Sequence, residues 1–328
     1  GLAVPETKGG QGGDWQTMSH VQERLGYHAT MAAILFNRVT GFGIMTVLKA
    51  GREAQCDEFL PRMLAGEGAF ALALTEPGAG SDAGALTTRA RRNGTGWRIT
   101  GLKHWISGAA SALRLVVAAR TDEGISLFLV PPDAKGVSLT LLDKIGNRCS
   151  LTYEVAFDDV AVSDAALLGL EGEGFGCLKK TLFYGRTGLA AAAVGTAQAA
   201  VDAAVAHAKD RAQFGQPIGG FQAIAHRLAI MQTEVDQARL LLRNLAWAID
   251  EGQDCMRLAA QSKWAATEML KRVTDEGMQV MASAGYAANS DMQRYWRDAR
   301  LYTFGEGSSE IQLDLIARDM GLGRAFPT

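Results

Sequence analysis

Glu306 lies in the segment Tyr302-Thr-Phe-Gly-Glu-Gly-Ser-Ser-Glu-Ile-Gln312, a carboxylate between two glycines at the mouth of an apolar helical run, Ile311, Leu313, Leu315 and Ile316. Glycines 305 and 307 let the backbone turn sharply and keep side chains away from a ligand. That is a setting for a carboxylate placed to do chemistry. Ser309 and Gln312 fit a capping box that opens the helix. A glutamate at a helix start also complements the helix dipole, so this segment alone leaves a structural role open.

Leu72-Ala-Leu-Thr-Glu-Pro-Gly-Ala-Gly-Ser-Asp82 is too rich in proline, glycine and short polar side chains to be regular structure. Its backbone N–H groups and hydroxyls suit an anion or a polar ring edge. It lacks the Gly-Lys-Ser/Thr ending of a phosphate loop, which argues against nucleoside triphosphate hydrolysis. Trp105-Ile-Ser107 closes a β-patterned run, and Arg211-Ala-Gln-Phe-Gly215 follows an alanine-rich helix. Singly, Trp105 fits a half-buried strand aromatic and Arg211 a surface charge at a helix end.

Together and in this order, these four segments resemble the acyl-CoA dehydrogenase family of flavoproteins, whose signatures include Thr-Glu-Pro-Gly-Ala-Gly-Ser-Asp (75–82), Trp-Ile-Ser (105–107), Arg-x-x-Phe-Gly (211–215) and Glu-Gly-Ser-Ser-Glu-Ile-Gln (306–312). Arg148-Cys-Ser150, Phe157-Asp-Asp-Val-Ala-Val162 and Arg297-Asp-Ala299 are similar to further family segments. The likeness covers nearly the whole chain. Gly1-Leu-Ala-Val-Pro-Glu6 matches a stretch that in the family follows one or two helices, so the resemblance implies that the first helix or two are missing.

Carried over residue by residue, the resemblance implies that Glu306 removes the α-proton of an acyl-CoA thioester while a hydride leaves the β-carbon for N5 of FAD, giving a trans-2-enoyl-CoA. Some members carry the base just before an arginine; here Gly185 precedes Arg186, which favours Glu306. Implied cofactor contacts are Leu74, Thr75 and Ser81; Trp105 on the flavin face with Ile106 and Ser107; and Arg211, Gln213 and Phe214 reaching the FAD of a neighbouring subunit. Phe221, Gln222, Gln279, Ser283, Ser308 and Glu310 complete that set. Ser81, Arg186 and Gly307 are the implied substrate contacts. Electrons would pass to an electron-transfer flavoprotein. The expected assembly is a homotetramer or dimer, and the expected setting is acyl-CoA catabolism in the cytoplasm, or the mitochondrial matrix of a eukaryote. The same scaffold could serve as an oxidase, a flavin monooxygenase or a catalytically idle partner subunit. The chain departs from the family at Gln279-Val-Met-Ala282-Ser283, where paired glycines are common, and at Phe183, where straight-chain members often carry an aspartate.

The elements that must position these residues follow from periodicity. From Trp15 to Ala71 apolar residues recur at helical spacing. From Trp97 the period becomes two, with strand candidates at 97–101, 113–117, 125–130, 137–142 and 151–157 separated by turn signals. Long helical patterns then cover about 175–209, 220–251, 257–285 and 308–320, a four-helix-bundle signature. The expected fold is α+β, with an N-terminal helical domain (1–71), a middle antiparallel β domain (72–166) and a C-terminal four-helix bundle (167–328). The glycine cluster at 169–176 sits outside any βαβ unit, so it is not expected to bind a dinucleotide.

The chain has 328 residues, 48% hydrophobic and 21% charged, with a net charge of −2. That is ordinary for a soluble enzyme and gives no basic field for nucleic acid. The apolar stretch 188–206 carries Gln198 and Asp202 and is expected to be a packed helix and not a membrane span. Cysteines 56, 149, 177 and 255 and the five histidines show no metal-ligand spacing. The cysteines are expected to be buried thiols.

Overall fold

The computed structural model describes residues 1–323; the last residues of the expected C-terminal domain, 324–328, lie outside the described residues. In chain order the elements are α1 (Trp15–His28), α2 (Thr30–Asn37), a π-helical segment (Arg38–Ile44), α3 (Met45–Ala50), α4 (Glu53–Leu64), β1 (Phe70–Ala73), β2 (Arg89–Asn93), β3 (Gly96–Ser107), β4 (Arg114–Thr121), β5 (Gly124–Val130), β6 (Val137–Leu142), β7 (Thr152–Ser163) and β8 (Leu167–Leu168). There follow α5 (Gly174–Asp210), a hairpin of β9 (Ala212–Gln213) and β10 (Gln216–Pro217), α6 (Gln222–Asp250), α7 (Met256–Met281), α8 (Ser283–Tyr286), α9 (Asp291–Tyr302) and α10 (Ser309–Asp319). The order is the expected one: helical, then β, then helical.

Two compact units result. The first comprises Gly1–Gly12, Leu35–Lys144 and Arg148–Gly185; the second comprises Gly13–Ile34, Ile145–Asn147 and the chain from Arg186. In the first, the strands run in the order β6-β7-β3-β2-β4-β5-β8, with β1 also beside β4. The sheet was expected to be antiparallel, but β1 and β2 both pair parallel to β4. Neither is joined to β4 by a tight hairpin, so nothing forces the antiparallel sense. Leu72 and Ala73, expected to be irregular, form the end of β1 through pairing with Val116 and Val117. Trp97, Ile99, Leu115, Val117, Phe128, Val130, Val155 and Phe157 fill the core against the sheet.

In the second unit the alanine-rich part of α5 packs with Met231, Val235 and Leu242 of α6, Leu270 and Val273 of α7 and Tyr295 and Tyr302 of α9. Small residues let α1 approach α5 closely: a Cβ added at Gly195 would lie 1.9 Å from the Glu23 carbonyl oxygen. The stretch Thr30–Ala50 and α5 are long and apolar enough to cross a membrane by length and composition, yet 67% of the most apolar window of α5 is buried, as in the core helix of a soluble protein.

Cys56 and Cys255 are buried and Cys177 partly so, but Cys149 is exposed, which corrects the expectation that all four are buried. It sits in the irregular connection before β7, where no core face shields it. Among the described residues no group of histidine, cysteine, aspartate and glutamate could hold a metal ion.

Candidate active site

Glu306 occupies the turn between α9 and α10 with φ +58°, a left-handed backbone that a non-glycine residue rarely adopts. Such a conformation persists only where its surroundings over-determine it, and here three side chains do so. Arg186 Nε donates to the Glu306 carbonyl at 3.1 Å. Lys263 Nζ donates to the Gly307 carbonyl at 2.8 Å and to that of Thr303 at 3.3 Å. Gln312, one turn into α10, reaches back through Nε2 to the Gly307 carbonyl at 3.0 Å. The turn is fixed at both ends.

The helix start differs by one residue from the expected capping box. Ser308 is the N-cap, its hydroxyl accepting from the Ile311 amide. Ser309 instead donates its hydroxyl to Glu268 at 2.6 Å, tying the turn to α7. Gln312 does not return the reciprocal bond of a capping box: its Nε2 donates to the Glu306 and Gly307 carbonyls.

Both cations beneath the turn are buried, Arg186 at 7% exposure and Lys263 at 0%. Burial pushes Lys263 down to about 8, against the pull of Glu306. Burial likewise lowers Arg186, and Glu306 opposes it. A buried cation is costly unless anions and carbonyls compensate it, so this pair marks the turn as a place where negative charge is favoured.

In the first unit, the loop after β1 is held by a buried ion pair. Lys103 Nζ lies 2.8 Å from Glu76 Oε1 and 2.9 Å from the Leu74 carbonyl, which it engages. Glu76 also accepts from the Thr87 amide and hydroxyl and from the Thr88 amide. Burial opposes ionisation of Glu76, but its bonds from Lys103 and the Thr87–Thr88 segment outweigh that and hold it at about 2; burial drops Lys103 to about 8. The His104 amide donates to the Thr75 carbonyl at 2.8 Å. Thr75 is thereby zipped to β3.

Past Lys103 the pairing of β3 with β7 is irregular. Trp105 takes φ +62° and stands 53% exposed, while Ile106 is buried and Ser107 bonds to Thr152 at 3.0 Å. Neither the Thr75 nor the Ser81 hydroxyl has a hydrogen-bond partner among the described residues. An aromatic face held outward in a strained backbone, with free hydroxyls on the adjoining loop, fits a flat ring system with polar edges such as a flavin.

Arg211, Gln213 and Phe214 lie on the β9–β10 hairpin, where Phe214 (φ +52°) and Gly215 (φ +81°) make the turn. Phe214 is 94% exposed, with the Phe221 ring set T-shaped to it at 6.1 Å between centroids. Gln222 opens α6. Gln279 and Ser283 flank the break between α7 and α8, where Ala282 takes φ +49°. Glu310 lies exposed in the first turn of α10.

The sequence reading missed Lys103 and Lys263 as supports and gave Gln312 a capping role only. The signal existed for the lysines: Lys103 has the inward parity of Trp97 and Ile99 on β3, and Lys263 falls on the buried stripe of α7 between Ala259 and Ala266. A charge on an apolar face demands a partner. Asp298, which accepts from the Asn147 amide at 2.6 Å, gave the same signal, on the buried stripe of α9 between Tyr295 and Tyr302.

The fold and these turns define an FAD-dependent oxidoreductase built from helical, β and helical parts. Three family models match in succession: the N-terminal domain of acyl-CoA dehydrogenase over residues 1–67, the middle domain over 71–160 and the C-terminal domain over 172–321. The chain is 39% identical to the probable acyl-CoA dehydrogenase YngJ of Bacillus subtilis, with 98% of this chain and 86% of that protein covered. It is 33% identical to the caffeyl-CoA reductase-Etf complex subunit CarC of Acetobacterium woodii, over 97% of this chain and 85% of that one. The structure of butyryl-CoA dehydrogenase from Megasphaera elsdenii superimposes with a TM-score of 0.94 at 33% identity, covering 98% of this chain and 87% of that one. The chain belongs to the acyl-CoA dehydrogenase family, and FAD is its cofactor.

Proposed function

We propose that the protein catalyses α,β-dehydrogenation of an acyl-CoA thioester to a trans-2-enoyl-CoA, with Glu306 as the base. The observation that carries this is the Glu306 turn: a carboxylate in left-handed backbone, on carbonyls held by Arg186, Lys263 and Gln312. Fixing the backbone on both sides limits where the carboxylate can go, so its search for the α-proton is largely removed before substrate binds. Bound FAD supplies the acceptor for the hydride from the β-carbon. Gly185, which cannot accept a proton, leaves Glu306 as the base.

Trp105, with Ile106 and Ser107 behind it, would offer its face to the flavin; Leu74, Thr75 and Ser81 would line the ring and pyrophosphate, with Ser81 and Gly307 also near substrate. Arg211, Gln213 and Phe214 would reach a neighbouring subunit's FAD, which the solvent-facing Phe214 supports. Phe221, Gln222, Gln279, Ser283, Ser308 and Glu310 would add further cofactor contacts. Arg186 serves the turn first, and its contact with substrate is secondary. The domain limits are proposed at 1–71, 72–166 and 167–328. The Etf-complex subunit among the relatives supports an electron-transfer flavoprotein as acceptor, with a homotetramer or dimer as the working assembly in the cytoplasm or mitochondrial matrix.

The test is an acyl-CoA panel mixed anaerobically with the flavin-loaded protein, then assayed with an artificial electron acceptor. Bleaching of the flavin absorbance with formation of enoyl-CoA is expected. Absence of bleaching across the panel would contradict the proposal.

A further inference from the structure

Arg38 opens the π-helical segment Arg38–Ile44, a rare geometry that recurs at functional sites. Its guanidinium lies over Gly108: a Cβ built there would stand 1.7 Å from Nη1, 2.5 Å from Cζ and 3.0 Å from Nη2. Gly108 is buried, has φ +71° and directly follows Ser107. The fork of this arginine therefore sits at the end of the Trp105–Ser107 segment, within the same unit.

Its charge is uncompensated. Arg38 Nε is buried without a hydrogen-bond partner, and among the described residues no carboxylate forms an ion pair with the guanidinium. Burial lowers its pKa with no acidic neighbour to oppose it. The contrast with Lys103, fully buried in this unit and matched to Glu76 at 2.8 Å, is the informative point. A half-buried guanidinium with no anion beside it is an expense that a folded chain tolerates where a ligand brings the oxyanion.

We infer that Arg38 is the acyl-end anion site of the enzyme, and that its substrate class is acyl-CoA thioesters whose acyl group carries a carboxylate or comparable oxyanion at its far end. This rests on the proposed dehydrogenation. The flavin is assigned to the uncharged faces of Trp105, Ser107 and Thr75, whereas Arg38 comes from the helical segment beside them. The phosphates of CoA are held away from the reacting carbons by the pantetheine arm. The acyl tail is the remaining part of the substrate that can bring an anion next to Gly108, and a planar fork matches a carboxylate bidentately.

The test is calorimetric titration of the FAD-loaded protein with acyl-CoA pairs matched in carbon number: succinyl against butanoyl, glutaryl against pentanoyl, adipoyl against hexanoyl. The ratio of affinities within a pair is the readout. At one chain length the carboxylated member should bind about tenfold or more tightly than its plain partner, the usual scale of a charge-assisted bond. Arg38→Met should collapse that ratio to near one, and Arg38→Lys should keep part of it. A plain partner that binds as well at every length would overturn the inference. So would an Arg38→Met protein in which the ratio is unchanged, whether or not the flavin spectrum moves, since the guanidinium would then serve packing or the flavin. Anaerobic flavin bleaching by the same compounds is scored separately. A carboxylate preference without bleaching keeps the anion site and sinks the dehydrogenation; bleaching by plain chains with no preference does the reverse.

Discussion

Lys263 Nζ donates to the carbonyl of Gly307 at 2.8 Å from a side chain with no solvent exposure. The residue next to the proposed base is thus held by a buried ammonium from α7, which also reaches the Thr303 carbonyl. Holding those carbonyls fixes the peptides after Thr303 and after Gly307, which bracket the turn that carries Glu306.

Lys263→Met separates positioning from folding. Removing the ammonium leaves the Gly307 and Thr303 carbonyls without this donor, a cost of about 1–3 kcal/mol that is partly offset by no longer burying a cation, so the fold should persist with at most a modest fall in melting temperature. Turnover should fall by about 10²-fold with KM little changed, the scale of a 1 Å misplacement. A variant with wild-type kcat would show that the clamp does not matter to catalysis.

The Glu76–Lys103 pair predicts a pH dependence of stability. Glu76 is held at about 2 in the fold, below its unfolded value, so its contribution is present above about pH 4.5 and is lost as pH falls toward 2. Glu76→Gln should destabilise by about 3–5 kcal/mol by stranding Lys103, and Glu76→Gln with Lys103→Met should recover much of that loss. Chemical denaturation of Glu76→Gln, Lys103→Met and the double variant across acid pH checks both statements. Additive losses in the double variant would contradict the pairing.

The exposed Phe214 predicts an assembly contact. Phe214→Ser should shift the protein toward smaller oligomers in sedimentation, and Arg211→Ala should weaken FAD retention by about tenfold or more, as expected for a charge-assisted contact. A flavin-loaded monomer of the unaltered protein at micromolar concentration would count against both.

Ala282→Gly tests backbone strain. At φ +49° and ψ −130°, a sparsely populated region for a residue with a Cβ, a glycine removes a strain of about 1–3 kcal/mol, so the variant should be more stable in urea. A loss of stability would mean that the alanine methyl contributes packing that outweighs the strain.

Much of the fold was legible because period-two and helical patterns dominate β3 to β7 and α5 to α7. β2 was not: Arg89-Ala-Arg-Arg-Asn93 buries only Ala90, so no alternation announces a strand whose pairing comes from its neighbours. β1 was hidden by its shortness beside a glycine-rich loop. At the site, the motifs gave Glu306, Trp105 and the 211–215 hairpin, because glycine and aromatic residues at fixed offsets survive as a linear signal. Lys263 and Lys103 act from distant segments on carbonyl oxygens, which carry no side-chain identity. Arg38 lies in a helical pattern that gave no hint of the π turn.

The most direct measurement is single-turnover reduction of the flavin in Glu306→Gln by an acyl-CoA that the unaltered protein oxidises. Glutamine preserves the volume, leaves the carbonyl that Arg186 and Gln312 engage, and cannot take the α-proton. The flavin should remain bound and the fold intact, while the reduction rate falls by about 10²–10⁴-fold, the range of general base catalysis. Reduction at the unaltered rate would make Glu306 a helix-start residue and place the base elsewhere.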